Sequence, residues 1–301
     1  MKIAFPPKRI VAAVDMSKPS LAALSVAIGL AKGFGSRLEL VYVQDLPLSL
    51  LGFGPETEGG ISELAAQMDD FRQWREERLR AQAREMPASR LRVRTLRGSP
   101  AVVLAQLARP ATADLVVLGT HGHSGLERAA FGSVAEAVVR RAQVPVLTLR
   151  EPPARGKGIR LLAPFNLRDY AEPALDVAAR WARRLRGSLT VLHVGDAEWT
   201  REARRRLRAR LEPLLGGGPL QLLQARGEPR AEIVREAAEG RYDLLVLAAH
   251  RKPFGGGVIL GSTAERVLRH SPVPVLSVPS AETGAQAKSL ARTIAGKIYG
   301  W

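Results

Sequence analysis

Glycines placed between a strand-like run and a helix-like run in the first half of the chain could bind an anion. Gly119 and Gly122 follow the apolar run Leu115–Leu118, and after nine further residues Gly132 and Ser133 begin a helical pattern. Glycine lets backbone N–H groups approach a ligand closely, and a helix N-terminus is positive and rich in donors. The spacing therefore predicts that a triphosphate fits between the glycine turn and the helix N-terminus.

The sequence gives less support to other types of nucleotide-binding site and to a catalytic site. No Gly-Lys-Ser/Thr occurs, so a P-loop lysine is excluded, and Gly-x-Gly-x-x-Gly does not follow the first strand. The chain has no cysteine, which excludes disulfides and thiolate metal sites. His121 lies in the glycine loop, but no spacing suggests a nucleophile with its base. We predict neither a catalytic residue nor a protein-bound metal.

The chain repeats itself, and the repeat predicts two domains. At a shift of 129 residues Asp114-Leu-Val-Val-Leu matches Asp243-Leu-Leu-Val-Leu, whereas near each start a shift of 151 aligns Asp45 with Asp196. The first repeat thus carries 22 extra residues, most of them in the apolar, glycine-rich stretch Leu46–Gly60.

The repeat also sets the expected domain boundaries. We expect one domain over residues 1–150, a linker over 151–157, a second domain over 158–279 and a C-terminal tail over 280–301.

Each repeat alternates short β-branched runs with longer helical patterns. This alternation predicts two tandem doubly wound α/β domains with parallel sheets and with ligands at the carboxyl ends of the strands. In the first repeat the expected strands are Ile10–Val14, Leu38–Val43, Leu91–Thr95, Leu115–Leu118 and Val144–Leu149, and the expected helices are Ser20–Lys32, Ile61–Glu85, Pro100–Leu107 and Ser133–Arg141.

The glycine segment resembles the signature of the universal stress protein family, Gly-x2-Gly-x9-Gly-Ser/Thr. The first strand, which ends at Asp15, is similar to the family's opening strand, and Val43 falls where the family places an apolar residue against adenine. The resemblance covers both repeats and implies domains of the adenine nucleotide alpha hydrolase type. It implies ATP, with Mg²⁺, bound through Asp15, Val43, Gly119, Gly122, Gly132 and Ser133.

The second repeat departs from this pattern at the site. Asn166 stands where Asp15 is expected, and Ala248 and Arg251 replace the two loop glycines, although Gly261-Ser262 is kept. We expect one tight ATP per chain, in the first repeat, and a second site that is largely dismantled. An arginine at that position changes or fills the phosphate path, or binds an anion itself.

The function implied is nucleotide-dependent stress adaptation or signalling in the cytoplasm, with slow ATP hydrolysis at most. An adenylating enzyme of the related α/β class is one alternative. A polyanion-binding or nucleic-acid-binding scaffold is the other, because 45 Lys and Arg outnumber 29 Asp and Glu and give a net charge of +16. Four arginines of the helical stretch 201–208 share one face, which we interpret first as solvated surface: Arg201, Arg204, Arg205 and Arg208.

Three further expectations concern assembly and the segments outside the repeat. Val144–Leu149 and Val273–Val278 should pair within one chain, and association of two chains is left open. The stretch Leu46–Gly60 is either a flap over the nucleotide or a cover for apolar surface. No apolar run is long enough to cross a membrane, so we expect no membrane contact, and the tail should dock on its own protein.

Overall fold

The structure is a computed structural model that describes residues 3–45, 58–120, 131–152, 158–196, 199–240, 242–254 and 257–281. The strands are β1 Arg9–Ala13, β2 Arg37–Gln44, β3 Leu91–Arg97, β4 Leu115–Gly119, β5 Val146–Leu149, β6 Arg160–Pro164, β7 Ser188–Val194, β8 Leu220–Ala225, β9 Leu244–Phe254, β10 Gly257–Leu260 and β11 Val275–Ala281. The helices are α1 Lys18–Phe34, α2 Glu58–Gln82, α3 Pro100–Leu107, α4 Ser133–Arg141, α5 Glu172–Arg184, α6 Arg201–Leu215, α7 Pro229–Glu239 and α8 Ser262–His270. Two short 3-10 turns, Ala88–Arg90 and Asp169–Ala171, precede β3 and α5.

All eleven strands join one sheet, in the order β3-β2-β1-β4-β5-β11-β9-β6-β7-β8, with β10 paired to β9. Within each half the main strands run parallel in the order 3-2-1-4-5, as expected for two doubly wound domains. The halves meet where β5 pairs antiparallel with β11, with Leu147 opposite Leu276. The prediction that the last strands pair within one chain is confirmed.

Local sequence signals explain where the helices begin and end. The hydroxyl of Ser17 accepts a hydrogen bond from the backbone N–H of Ser20 and so caps α1, which ends at Gly35 with a left-handed φ of 71°. In the second domain Thr200 caps α6 in the same way, and Gly216 ends it with φ 61°. These caps fix the helices against the strands that precede them.

Two ion pairs, one in each domain, occupy equivalent positions in the sequence repeat. Arg9 at the start of β1 contacts Asp114 just before β4 (Nη2 to Oδ1, 2.8 Å), and Arg160 contacts Asp243 at 3.1 Å. The first members are 151 residues apart and the second members 129, as in the sequence alignment. Each pair anchors the amino end of a central strand to the turn before its neighbour.

Helices cover both faces of the sheet, and each of the two cores contains residues of both domains. The core under α1, α2, α5 and α6 is continuous across the junction, where Phe34 and Trp181 meet edge to face with ring centroids 5.3 Å apart. The core under α3, α4, α7 and α8 fills the other face. Among the described helices, none combines the length and the apolar character needed to span a bilayer.

The structure differs from the sequence expectations at two segment ends. β11 runs to Ala281, so residues 280 and 281 belong to the sheet rather than to a tail. α2 begins at Glu58, so the end of the expected flap is helical, while residues 46–57 lie outside the described residues. Residues 282–301 of the tail also lie outside them.

Asp114→Asn is expected to lower the free energy of unfolding by about 2 kcal/mol, because the carboxylate accepts charge-assisted hydrogen bonds. Burial acts to raise the pKa of Asp114, but hydrogen bonds from the Arg9 side chain and from the backbone of Lys8 and Arg9 outweigh it and lower that pKa. A carboxylate with a lowered pKa stabilises the fold above its ordinary pKa, and this stabilisation is lost as the pH falls through the folded-state pKa. The difference between the two proteins should therefore shrink in acid.

Urea unfolding at several pH values measures this difference. The exposed pair between Lys32 and Glu85, with 2.9 Å between Nζ and Oε2, supplies a matched control. Glu85→Gln should leave the urea midpoint near that of the unchanged protein. Equal losses in the two variants would contradict the special role of Asp114.

Candidate functional site

A cavity of about 420 Å³ opens at the carboxyl ends of β1, β2 and β4. Its wall brings together five of the six residues predicted from the sequence, namely Asp15, Val43, Gly119, Gly132 and Ser133. The sixth, Gly122, lies outside the described residues, as do His121 and the rest of residues 121–130. The size is within the usual range for a small-molecule site.

Asp15 reaches this cavity because the chain turns sharply after β1. Met16 adopts a left-handed φ of 68°, and the Oδ1 atom of Asp15 accepts a hydrogen bond from the N–H of Ser17 at 2.9 Å. The N–H of Asp15 in turn donates to the Ser20 hydroxyl at 3.2 Å. The carboxylate is thus held half-buried at the cavity wall, where it can accept hydrogen bonds from hydroxyl groups.

An apolar slot lies beside the carboxylate. Val41 and Val43 of β2, Leu104 of α3 and Leu118 of β4 line the same cavity. Val41, Leu104 and Leu118 are buried in the core, which gives the slot a rigid wall. A flat apolar group such as a base ring fits this part of the cavity better than a charged group does.

The opposite wall of the cavity is the N-terminus of α4. Gly132 is the N-cap residue with φ −58° and ψ 140°, and this cap makes no side-chain hydrogen bond. The first N–H groups of a helix have no acceptor within the helix, so those of Ser133 and Val134 point outward as donors. Together with the helix dipole they form a positive wall suited to an anion.

Thr120 ties the two described ends of the glycine loop together. Its N–H donates to the carbonyl of Leu149 at 3.0 Å, and its carbonyl accepts from the N–H of Gly132 at 2.6 Å. The strand end and the helix start are therefore fixed relative to each other, although eleven residues lie between Thr120 and Gly132 in the sequence. The donor wall is a rigid part of the fold.

Gly119 has a packing role beside its place in the cavity wall. A Cβ at this position would lie 2.8 Å from the carbonyl carbon of Pro19 and 2.9 Å from the nitrogen of Ser20. Both atoms belong to the backbone of the first turn of α1, which cannot easily move away. The glycine is required by the close approach of β4 and α1, an explanation that the spacing alone did not provide.

Sequence reasoning missed three polar members of the cavity wall. Ser20, Asp45 and Thr120 line it together with the predicted residues. Thr120 stands between the predicted glycines, and Asp45 follows the predicted Val43 by two residues, so both carried a positional signal. Ser20 carried none, because its place depends on the packing of α1 against β4.

The second domain keeps a cavity of similar size, about 470 Å³, at the matching strand ends. It is lined by Asn166, Val194, Ala248, Gly261 and Ser262, which replace the five residues of the first cavity one for one. The expectation of a largely dismantled site did not include this remaining cavity.

The polar groups of the second cavity are arranged differently. The Asn166 amide donates to the Tyr170 hydroxyl, and its Oδ1 atom accepts from the N–H of Arg168 at 3.3 Å. The carboxylate of the first cavity is thus replaced by a neutral group engaged within its own turn.

A β-hairpin occupies the place of the glycine loop in the second domain. β9 continues to Phe254 and pairs antiparallel with β10, whereas β4 ends at Gly119. On its other side β9 pairs with β11 as far as Arg251 opposite Ala281. Backbone groups of this segment are therefore used by the sheet, and this weakens the second domain as a phosphate site.

The basic helix predicted over residues 201–208 is α6. Three of its arginines, Arg206, Arg208 and Arg210, form ion pairs with carboxylates of α5 or α6. Of these three, Arg208 belongs to the predicted face, and its ion pair with Glu212 agrees with a solvated surface there. In the described ranges no group of three or more His, Cys, Asp or Glu residues could hold a metal ion.

Fold and site together define a tandem doubly wound α/β protein with a ligand cavity at the carboxyl ends of the strands. Comparison with known proteins identifies relatives in sequence. A universal stress protein of Methanocaldococcus jannaschii is 34% identical over 145 residues, which cover 48% of this chain and 83% of that protein. The universal stress protein family matches residues 6–150 and 195–279. The chain therefore belongs to the universal stress protein family, with two copies of the domain in tandem.

Solved structures agree on the fold across nearly the whole chain. A universal stress protein from Archaeoglobus fulgidus superposes with a TM-score of 0.66 at 20% identity and covers 91% of this chain and 97% of its own. A protein of unknown function from Pseudomonas aeruginosa gives 0.59 at 17% identity, with 96% and 98% covered. Identities this low support the tandem architecture and nothing finer.

Gly119→Ala is expected to lower the free energy of unfolding by about 1–3 kcal/mol, because the new methyl group overpacks against the backbone of α1. Thermal and urea unfolding measure the effect. Gly29→Ala, in helix α1, is the matched control, since nothing lies within 4 Å of a Cβ at that position. That control should be neutral or stabilising by up to about 1 kcal/mol. A Gly119→Ala protein as stable as the unchanged chain would rule out the packing role.

Proposed function

We propose that the first domain binds ATP, with Mg²⁺, and that the protein acts in nucleotide-dependent stress adaptation or signalling in the cytoplasm. The observation that carries the proposal is the single cavity at the ends of β1, β2 and β4. It joins a carboxylate, an apolar slot and an uncapped helix N-terminus. A nucleotide has three parts of matching chemistry: ribose hydroxyls, a base ring and phosphates.

Each part of the nucleotide has a proposed partner. The ribose hydroxyls donate to the Asp15 carboxylate, and the adenine ring packs against Val43 in the apolar slot. The phosphates lie along the wall formed by Gly119 and Gly132 and accept hydrogen bonds from the backbone donors at the start of α4, beginning at Ser133, where the dipole of α4 favours negative charge. Gly122 belongs to this phosphate wall by its place in the family signature.

A magnesium ion fits this arrangement without a dedicated protein cage. Mg²⁺ keeps several waters and is held by substrate phosphates plus one or two carboxylates. Asp15 and Asp45 are the acidic residues of the cavity wall. The ion would neutralise phosphate charge, which the described wall meets with backbone dipoles alone.

Slow hydrolysis at most is expected of this site. In the described part of the wall the ionisable side chains are those of Asp15 and Asp45, and Asp15 already accepts a backbone hydrogen bond. A general base must reach the attacking water at hydrogen-bond distance. A binding role, in which nucleotide occupancy changes what the protein contacts, needs no such base.

Calorimetry with ATP and Mg²⁺ should give one tight site per chain. In the described residues, the cavity of the first domain has a carboxylate, and β4 ends there at Gly119, whereas β9 of the second domain continues into a hairpin. Gly122→Arg, which copies the second repeat, is expected to remove that site. The same titrations followed by phosphate release measure hydrolysis. Two equal sites in the unchanged protein would refute the assignment to one domain.

Gly132→Asp separates binding from folding. Its backbone angles suit any residue, and an aspartate at an N-cap accepts hydrogen bonds from the helix donors. The variant should fold at least as stably as the unchanged protein but should bind ATP tenfold more weakly or worse, about 1.4 kcal/mol. The reason is that the carboxylate both consumes the donors and repels phosphate.

The matched control for this variant is Gly261→Asp. Gly261 caps α8 with φ −59° and ψ 140°, nearly the same angles as Gly132. The control should leave ATP affinity unchanged. If it weakens binding as much as Gly132→Asp does, the nucleotide is in the other domain or in both.

A further inference from the structure

Four arginines surround a second kind of cavity at the junction of the two domains. Arg180, Arg183, Arg184 and Arg186 line a pocket of about 480 Å³, together with Phe5, Pro213 and Leu214. No carboxylate is among these lining residues, and none of them lines either strand-end cavity. We call this cavity the arginine pocket.

Arginines elsewhere in the described chain are commonly neutralised by carboxylates. Arg210, on the neighbouring helix α6, binds Asp176 at 2.8 Å and Glu172 at 2.9 Å, and Arg269 binds Glu136 at 2.8 Å. Among the residues that the structure describes, no salt bridge involves any of the four arginines of the pocket. Within the described part of the chain, positive charge is therefore concentrated there without a counter-ion.

The local fold fixes where these side chains point. Arg180, Arg183 and Arg184 are spaced three and four residues apart, so they share one face at the end of α5. Arg186 follows with a left-handed φ of 53°, in a turn closed by Gly187. A Cβ at Gly187 would lie 1.8 Å from the carbonyl oxygen of Ile159, so this turn has little freedom.

Helix dipoles account for only part of this charge. The Arg184 guanidinium donates to the carbonyl of Gly33, which places the carboxyl ends of α1 and α5 side by side. Each helix terminus carries roughly half a negative charge. Two termini thus offset about one of the four positive charges, and Arg184 is the residue that makes this contact.

We propose that the arginine pocket binds a small anion that carries several closely spaced phosphate groups. The planar guanidinium matches phosphate oxygens with two parallel hydrogen bonds, and several such forks around one concavity favour several phosphates. The pocket is concave with an apolar floor of Phe5, Pro213 and Leu214, and this shape suits a small molecule better than a nucleic-acid backbone. The site is separate from the proposed ATP site.

Titration calorimetry with inorganic tripolyphosphate, without Mg²⁺, tests the proposal. Arg183→Gln with Arg186→Gln removes two exposed guanidinium groups and leaves Arg184 and its helix contact intact. We expect a site that persists in the Gly132→Asp variant and whose affinity falls at least tenfold in the double variant. Circular dichroism and thermal unfolding should show that the variant keeps its fold.

The matched control removes the same charge from another surface. Arg201→Gln with Arg205→Gln changes two exposed arginines of α6. This control should change tripolyphosphate affinity less than twofold. Equal weakening in both double variants would overturn the proposal, because general surface charge would then explain binding.

Two more measurements separate this site from the alternatives. Gly132→Asp should leave tripolyphosphate binding at the arginine pocket intact, while the Arg183/Arg186 variant should leave ATP binding with Mg²⁺ intact, so either proposal can fail alone. A 20-base-pair DNA duplex is the competing occupant. If the Arg183/Arg186 variant loses duplex binding but keeps tripolyphosphate binding, the small-anion proposal is wrong.

Discussion

The antiparallel pairing of β5 with β11 is the constraint on which the rest of this architecture depends. A doubly wound domain that stood alone would expose β5 or β11 as an unpaired edge, and such edges invite association with other chains. Here each edge covers the other, with Val146 opposite Ser277 and Leu147 opposite Leu276. The pairing also brings α1 and α5 onto one face, where a single core can form beneath both.

That shared core helps to explain why the second domain keeps its fold although its sequence lacks the glycine motif of the first domain. The ion pair of Arg160 with Asp243 repeats the pair of Arg9 with Asp114, and the core continues across the junction. What differs is confined to the carboxyl ends of the strands. Gly119 is needed because α1 begins directly against it, whereas before α5 a 3-10 turn stands at the matching place and Ala248 is accommodated.

Much of the fold could be predicted from sequence because the signals are local or repeated. Apolar runs such as Leu115–Leu118 mark buried strands, and the two shifts of the repeat marked an insertion between two aligned blocks. The gathering of Asp15, Val43 and Gly132 in one cavity could also be predicted, because parallel strands end at one edge of a sheet. These inferences needed only the order of the elements.

The remaining features could not be read from sequence because they depend on distances between segments. The requirement for glycine at position 119 comes from the backbone of Pro19, a hundred residues earlier. The remaining cavity in the second domain depends on how a hairpin replaces a loop of different length. The arginine pocket joins Phe5 to the end of α5, and a run of surface arginines in sequence gives no sign that they face one concavity.

The placement of charge connects the two cavities. The chain carries a net charge of +16, yet Asp15 and Asp45 are the charged members of the described nucleotide cavity wall. A long-range positive field raises the local concentration of phosphates, but salt screens it within about 10 Å and it does not distinguish one phosphate compound from another. At the proposed nucleotide site, selectivity therefore comes from fixed backbone donors at α4 and from the carboxylate, which repels any phosphate set in the wrong orientation. At the proposed site in the arginine pocket the balance is reversed: four guanidinium groups and no carboxylate among the lining residues favour charge density over the shape of a nucleoside. The two proposed anion sites are thus of opposite design, and a ligand that suits one is a poor fit for the other.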